Sequence, residues 1–196
     1  LTAPTGYVDT WDASYSQNGT VKAWVVTNAE DSTMYDLYIG ANNGIVAPAN
    51  GYMLFAFYTK CTKINNLNLL NTAQTTNMRG FFYRMYELET IDLSNFSTVN
   101  CTNMFSVFEG CKKLTSIDVT QFDTTKTTNM SWMFSDCNNL IEIDVRGFDT
   151  SEVTDMRTMF AYCNSLTSLD VSGFNTSNVT LISSMFNGCR KLESLD

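Results

Sequence analysis

The chain has 196 residues, 44% hydrophobic and 13% aromatic, enough apolar side chain for a real core and too much for a disordered segment. A net charge of −8, with Lys and Arg scattered rather than clustered, excludes nucleic acid and anionic membrane as partners. The chain contains no His, the commonest general base and metal ligand, and no apolar run long enough to span a bilayer.

Residues 1–57 carry no repeat and read as a small β-rich cap. The opening Leu1-Thr2-Ala3-Pro4 lacks the charged and apolar regions of a signal peptide and looks like the interior of a longer protein. After Asn18, the stretch Gly19 to Val26 reads as a strand entered from an Asn-Gly hairpin turn. Tyr35 to Ile39 and Tyr52 to Tyr58 read as further strands.

Residues 58–196 are written in a repeat. Leu88, Leu114, Leu140, Leu166 and Leu192 recur every 26 residues, each opening L-x-x-L/I-D, continued by Leu or Val where the copy runs on. Ile64 opens an earlier, shorter copy, with Leu70 in the place that Phe96, Phe122, Phe148 and Phe174 take later. Behind those stand Met104, Met130, Met156 and Ile182, then Phe108, Phe134, Phe160 and Phe186, then Cys111, Cys137, Cys163 and Cys189. The opening alternation reads as a short half-buried strand. Val153, Met156, Met159, Phe160 and Cys163, three or four apart, read as one face of a short helix or 3-10 segment. Between them, Phe148-Asp149-Thr150-Ser151 and its equivalents supply side-chain oxygens for capping. Such units bury their apolar sides only by stacking. The expected fold is therefore an α/β repeat: a right-handed solenoid with a parallel sheet on one face and short helices or 3-10 segments on the other. The copy opened by Leu192 stops at Asp196 without a capping sequence, so the chain is expected to continue, or its edge to contact another chain.

At L-x-x-L-D-V-S-G-F-N-T-S-N-V-T (166–180) and M-F-x-G-C (185–189) the chain resembles the BspA-like leucine-rich-repeat surface proteins and their 26-residue bacterial repeat. The resemblance covers roughly 58–196, and the Asp36 to Phe55 stretch is similar to the lead-in before the first repeat in such proteins. It implies an extracellular, cell-surface bacterial protein acting in adhesion, with no catalytic residues to carry over. Phe96 and its equivalents depart from the usual leucine-rich pattern, which places Asn at that turn, so another group must hold it.

The candidate binding face is Asp92, Asp118, Glu142, Asp144, Arg146 and Asp170, with Trp132 and Tyr162 as exposed aromatics elsewhere on the repeat. Stacked aspartates about 4.8 Å apart repel by about 1 kcal/mol per pair in water-like dielectric. Hydrogen bonds from Ser, Thr or loop N–H groups, a bound cation such as Ca²⁺, or a ligand would offset this. Phe96, Phe122, Phe148 and Phe174 with Cys111, Cys137, Cys163 and Cys189 are the expected structural spine. The cysteines read as buried thiols, with a disulfide between neighbouring repeats or a metal as alternatives. Cys101 lies out of phase with them, in a Val-like packing column. N-x-S/T occurs at Asn18, Asn95, Asn100, Asn129, Asn175 and Asn178, which would matter only in a glycosylating host. No catalytic residue, metal site or cofactor is expected, since a repeat offers every copy the same groups. Carboxylate-pair hydrolysis is the chemistry such a ladder would otherwise suggest. The expected function is non-enzymatic recognition of a protein or glycan on another cell or surface. The alternative is a structural spacer or building block of a surface or virion assembly.

Overall fold

Alternating apolar residues in the first part of the chain do form strands. The computed structural model describes residues 3–12, 21–41 and 44–196. Strands β1 (Tyr7–Asp12), β2 (Val21–Thr27) and β3 (Tyr35–Ala41) pair antiparallel. The Asn18-Gly19 turn expected before β2 lies outside the described residues. Ala23 sits opposite Ile39 and Val25 opposite Leu37, which places these four on the core side of the sheet. Strand β4 is the short Ile45–Val46. Strand β5 (Cys61–Asn65) adds parallel to β3 and completes the order β1-β2-β3-β5, so one sheet crosses residue 57. Asp36, buried on β3, ties this junction together. It accepts hydrogen bonds from Thr62 Oγ1 (2.6 Å) and Asn28 Nδ2 (3.2 Å) and pairs with Lys63 Nζ (3.0 Å).

Tyr52 to Tyr58 is not a strand. It is a run of turns with Met53 and Phe57 in the left-handed region (φ 53° and 66°), and that pair of left-handed residues returns in every later repeat. Gly80 and Arg84, Ser106 and Gly110, Trp132 and Asp136, Thr158 and Tyr162, then Ser184 and Gly188 all have positive φ.

This pairing overturns the expected architecture. A left-handed residue reverses the sense of the chain and cannot continue a right-handed helix. No α-helix occurs among the described residues, and the one 3-10 element, Leu67–Leu69, lies outside the M-F-x-x-C segments. Nor is there a continuous parallel sheet. Beyond β5, parallel pairing is limited to two-residue strands and single bridges: β6 (Leu70–Asn71) with β4, β7 (Ser168–Leu169) with β8 (Ser194–Leu195), and contacts such as Ser116 with Glu142. The helix-and-sheet solenoid is thus not the fold found.

The apolar spacing of three and four has another origin. In the segment from Met130 to Cys137, N–H groups alternate between two destinations. Those of Met133, Ser135 and Cys137 close tight turns on the carbonyls of Met130, Trp132 and Phe134 (3.1–3.3 Å). Those of Met130, Trp132, Phe134 and Asp136 reach the next repeat, at Asp155, Arg157, Met159 and Ala161 (2.8–3.0 Å). Overlapping four-residue turns of this kind space their inward side chains much as a helix does.

Successive repeats therefore sit side by side in register, with Asn77, Asn103, Asn129, Asp155 and Leu181 forming a line of parallel bridges. At the first junction Lys63 bridges Thr90, which places Ile64 beside Ile91 and Cys61, rather than Ile64, beside Leu88. The missing Asn ladder is replaced by threonine. Thr72, Thr98, Thr124 and Thr150, all buried, donate their hydroxyls to the carbonyls of Ser97, Asp123, Asp149 and Asn175 at 2.9–3.1 Å. A second ladder runs through Thr102, Thr128, Thr154 and Thr180, each bonding the previous member's carbonyl; the first bonds Thr76.

Inside, six phenylalanines stack. Phe55, Phe82, Phe108, Phe134, Phe160 and Phe186 follow one another with centroids 5.4–6.0 Å apart and ring planes within 12° of parallel. The column expected as the spine is a second one. Phe96, Phe122 and Phe148 are buried, and Phe174 is partly buried against the core.

Candidate functional site

The strand-side residues converge on one open groove of about 640 Å³. Its floor is Ile117, Ile143 and Leu169, and its walls carry Asp118, Glu142, Asp144, Arg146 and Asp170. Ser116, Thr120, Ser168, Ser194 and Asp196 complete the rim. Five of the six residues expected on this face are thus brought together, while Asp92 lies beyond the groove's edge.

Each ladder aspartate first serves its own turn. The backbone N–H two residues on donates to Oδ1 of Asp92, Asp118, Asp144 and Asp170 at 3.0–3.1 Å, the side-chain-closed turn that Asp readily forms. The Thr120 hydroxyl adds a 2.6 Å bond to Asp118, and the Ser172 hydroxyl does the same for Asp170. Arg146 grips Asp144 with two bonds, Nε to Oδ1 (3.0 Å) and a terminal nitrogen to Oδ2 (2.8 Å).

These donors hold the carboxyls below their ordinary range. The hydroxyl of Thr120 does so first for Asp118 and that of Ser172 for Asp170, with the backbone N–H second; the Ser94 side chain acts likewise on Asp92. The Arg146 side chain brings Asp144 down to about 2. All four are therefore ionised at neutral pH, and internal hydrogen bonds offset their repulsion. Oδ2 of Asp118 and of Asp170 has no protein partner among the described residues. The groove offers carboxylate oxygens to a cationic group.

The aromatics lie elsewhere. Trp132 lines a separate cleft on the turn side with Tyr83, Phe105 and Glu109. Tyr162 lies against Gly188, where an added Cβ would come within 2.6 Å of its ring, and its hydroxyl accepts from Asn187 Nδ2 (3.3 Å).

The cysteines are free thiols packed in the core, with Cys189 half-buried. Cys111, Cys137, Cys163 and Cys189 donate S–H to the carbonyls of Phe82, Phe108, Phe134 and Phe160 at 3.0–3.3 Å. Burial pushes each of these thiols up. The column therefore uses the thiol as a donor as well as a filler, although Met85 fills the first place without one. Among the described residues no cluster of His, Cys, Asp or Glu is placed to hold a metal ion, and no helix is long and apolar enough to cross a membrane.

The sequence profile of a family described as "Mycoplasma protein of unknown function, DUF285" matches residues 52–142 and again 117–195. The chain belongs to this family. Neither a curated protein nor a solved structure matches it. The DUF285 match begins at Tyr52, where the paired left-handed turns also begin, and its two spans share 117–142, one repeat length. The family region thus coincides with the turn-built stack.

The turn-side cleft escaped the sequence reading, apart from Trp132. Phe105 and Glu109 fall in columns that vary, with Ser131, Arg157 and Ser183 in one and Ser135, Ala161 and Asn187 in the other.

Proposed function

We propose that this chain is a non-catalytic, extracellular recognition module of a bacterial cell surface, binding a protein partner that presents basic side chains through the acidic groove. The observation that carries this reading is the groove itself: a fixed frame of ionised aspartates with flanking positions that change from Ser116 and Thr120 to Glu142 and Arg146 to Ser168 and Ser172. Variation on a constant frame is how repeat proteins vary what they bind. The resemblance to BspA-like surface proteins supports the location and the adhesive role. Clustered carboxylates favour cationic partners and speed their approach.

A structural spacer is the second reading, favoured by one observation. Every ladder aspartate closes its own turn, so the frame requires Asp there with or without a ligand.

Substitution by Asn separates the two, because Asn closes the same turn without the charge. Beads coated with the chain are tested for attachment to host cells and to purified matrix proteins. Asp118→Asn with Asp170→Asn should leave the melting profile in place and weaken attachment at least about tenfold, with a matching loss in high salt. Attachment that is absent from the start, or unchanged in the double variant, would refute the groove as the binding surface.

A further inference from the structure

The cleft on the turn side has a volume of about 290 Å³, the lower end of the range that small-ligand sites occupy (about 300–1,000 Å³). Tyr83, Phe105 and Trp132 line it, with the carboxyl of Glu109 among them. Glu109 is partly buried, its Oε2 is held by the Ser106 hydroxyl, and burial pushes its pKa up. The Arg79 guanidinium lies 4.6 Å from the Phe105 ring centroid, and that of Arg84 lies 4.9 Å from Tyr83.

The frame does not ask for these residues. Trp132 occupies the left-handed position that Met53, Gly80, Ser106, Thr158 and Ser184 fill in other repeats, at φ 61°. A non-glycine residue there costs about 1–2 kcal/mol, and Trp132 fills no core in return, since it is 37% exposed. Phe105 stands in a variable column with Arg79, Ser131, Arg157 and Ser183, and Glu109 in one with Tyr83, Ser135, Ala161 and Asn187. Trp132 and these two variable columns meet in one concavity. What sets Trp132 apart is a large exposed ring at a place where four of the other repeats carry Gly, Ser or Thr.

The chemistry narrows the ligand. Aromatic faces beside a carboxylate acceptor and guanidinium donors suit a molecule with one apolar face and a hydroxylated edge. A purely apolar ligand would leave Glu109 desolvated without a new partner. An organic cation would compete for ring faces that Arg79 and Arg84 already cover. The volume admits a single ring.

We propose that the cleft between Tyr83, Phe105, Glu109 and Trp132 binds one pyranose ring, stacked on Trp132 with its hydroxyls donating to Glu109. This site is separate from the acidic groove and shares no lining residue with it, so either assignment can fail alone.

The test is saturation-transfer NMR and tryptophan fluorescence on the full chain with a panel of methyl pyranosides and the matching free sugars. Binding of at least one pyranose at millimolar concentration is expected. Trp132→Ser, which restores a residue the frame uses at this position, should keep the melting temperature and weaken binding at least about tenfold. Glu109→Gln should weaken it less, and Asp118→Asn with Asp170→Asn should leave it unchanged. Methyl glycosides that bind as well as free sugars point to a glycan terminus, and free sugars binding alone point to a soluble sugar. No signal from any member of the panel would overturn the proposal. So would undiminished binding in both cleft variants, or loss in the groove variant.

Discussion

The two parts of this chain reach order by different means. In the N-terminal sheet, β2 pairs with β3 over seven residues on each strand, with Ala23, Leu37 and Ile39 buried on one face and Trp24 and Asp36 buried on the other. In the repeat region no strand described after β5 exceeds two residues, yet the repeats stay in register from Asn77 to Leu181. Turn amides, threonine hydroxyls and thiols do there what a ladder of strand amides does in the sheet. Register in the sheet comes from continuous backbone pairing, which tolerates many residues. Register in the stack comes from particular donors at particular places, and should be less forgiving.

The contrast can be broken most severely at the stacked rings. Phe134→Ala removes a fully buried member between Phe108 and Phe160 and should cost about 3–5 kcal/mol in urea unfolding. A loss below about 1 kcal/mol would mean that the stack is not a continuous core. Next comes the threonine ladder. Thr124→Val removes the bond from this buried hydroxyl to the Asp149 carbonyl and should cost about 0.5–1.5 kcal/mol. Thr10→Val, which removes a hydroxyl bond to Ala23 from the exposed sheet edge, should stay within about 0.5 kcal/mol. Equal effects at the two sites would erase the distinction drawn above.

Smaller effects sharpen it further. With a thiol reagent under native conditions, half-buried Cys189 should react first, while Cys111, Cys137 and Cys163 wait for unfolding. Peptide mapping after timed labelling reads this directly, and simultaneous labelling would argue against the packed thiol column. The mildest effect is on pH. Asp144 titrates near 2 in the folded chain against an ordinary 3.8. The ionised form is therefore favoured by folding above 3.8, and its contribution fades as the pH falls through 2. Carbon-detected NMR titration should place Asp144 lowest among the ladder carboxyls. A midpoint at the ordinary value would remove the Arg146 grip from the account.

The register of the repeat was legible because columns 26 residues apart hold one residue type: Phe108, Phe134 and Phe160 say where the core runs without any structure. The strands β2 and β3 were legible from their β-branched and aromatic residues. The helix was misread because turns of four and a helix of 3.6 place apolar residues at the same spacings, as Met156, Met159, Phe160 and Cys163 do. What separates them is backbone handedness. Gly80, Gly110 and Gly188 stand at left-handed positions, but Trp132, Thr158 and Tyr162 stand there too and disguise the pattern. The acidic groove was legible as a strand-face column. The cleft was not, because Phe105, Glu109 and Trp132 come from three columns that only the folded turns bring together.

The most direct test of the turn-built stack is the scalar coupling carried across its hydrogen bonds in a labelled sample. The account predicts that the Phe108 amide nitrogen couples to the carbonyl carbon of Met133, across the junction between repeats. Coupling to the carbonyl of Met104, four residues back as in an α-helix, would contradict it.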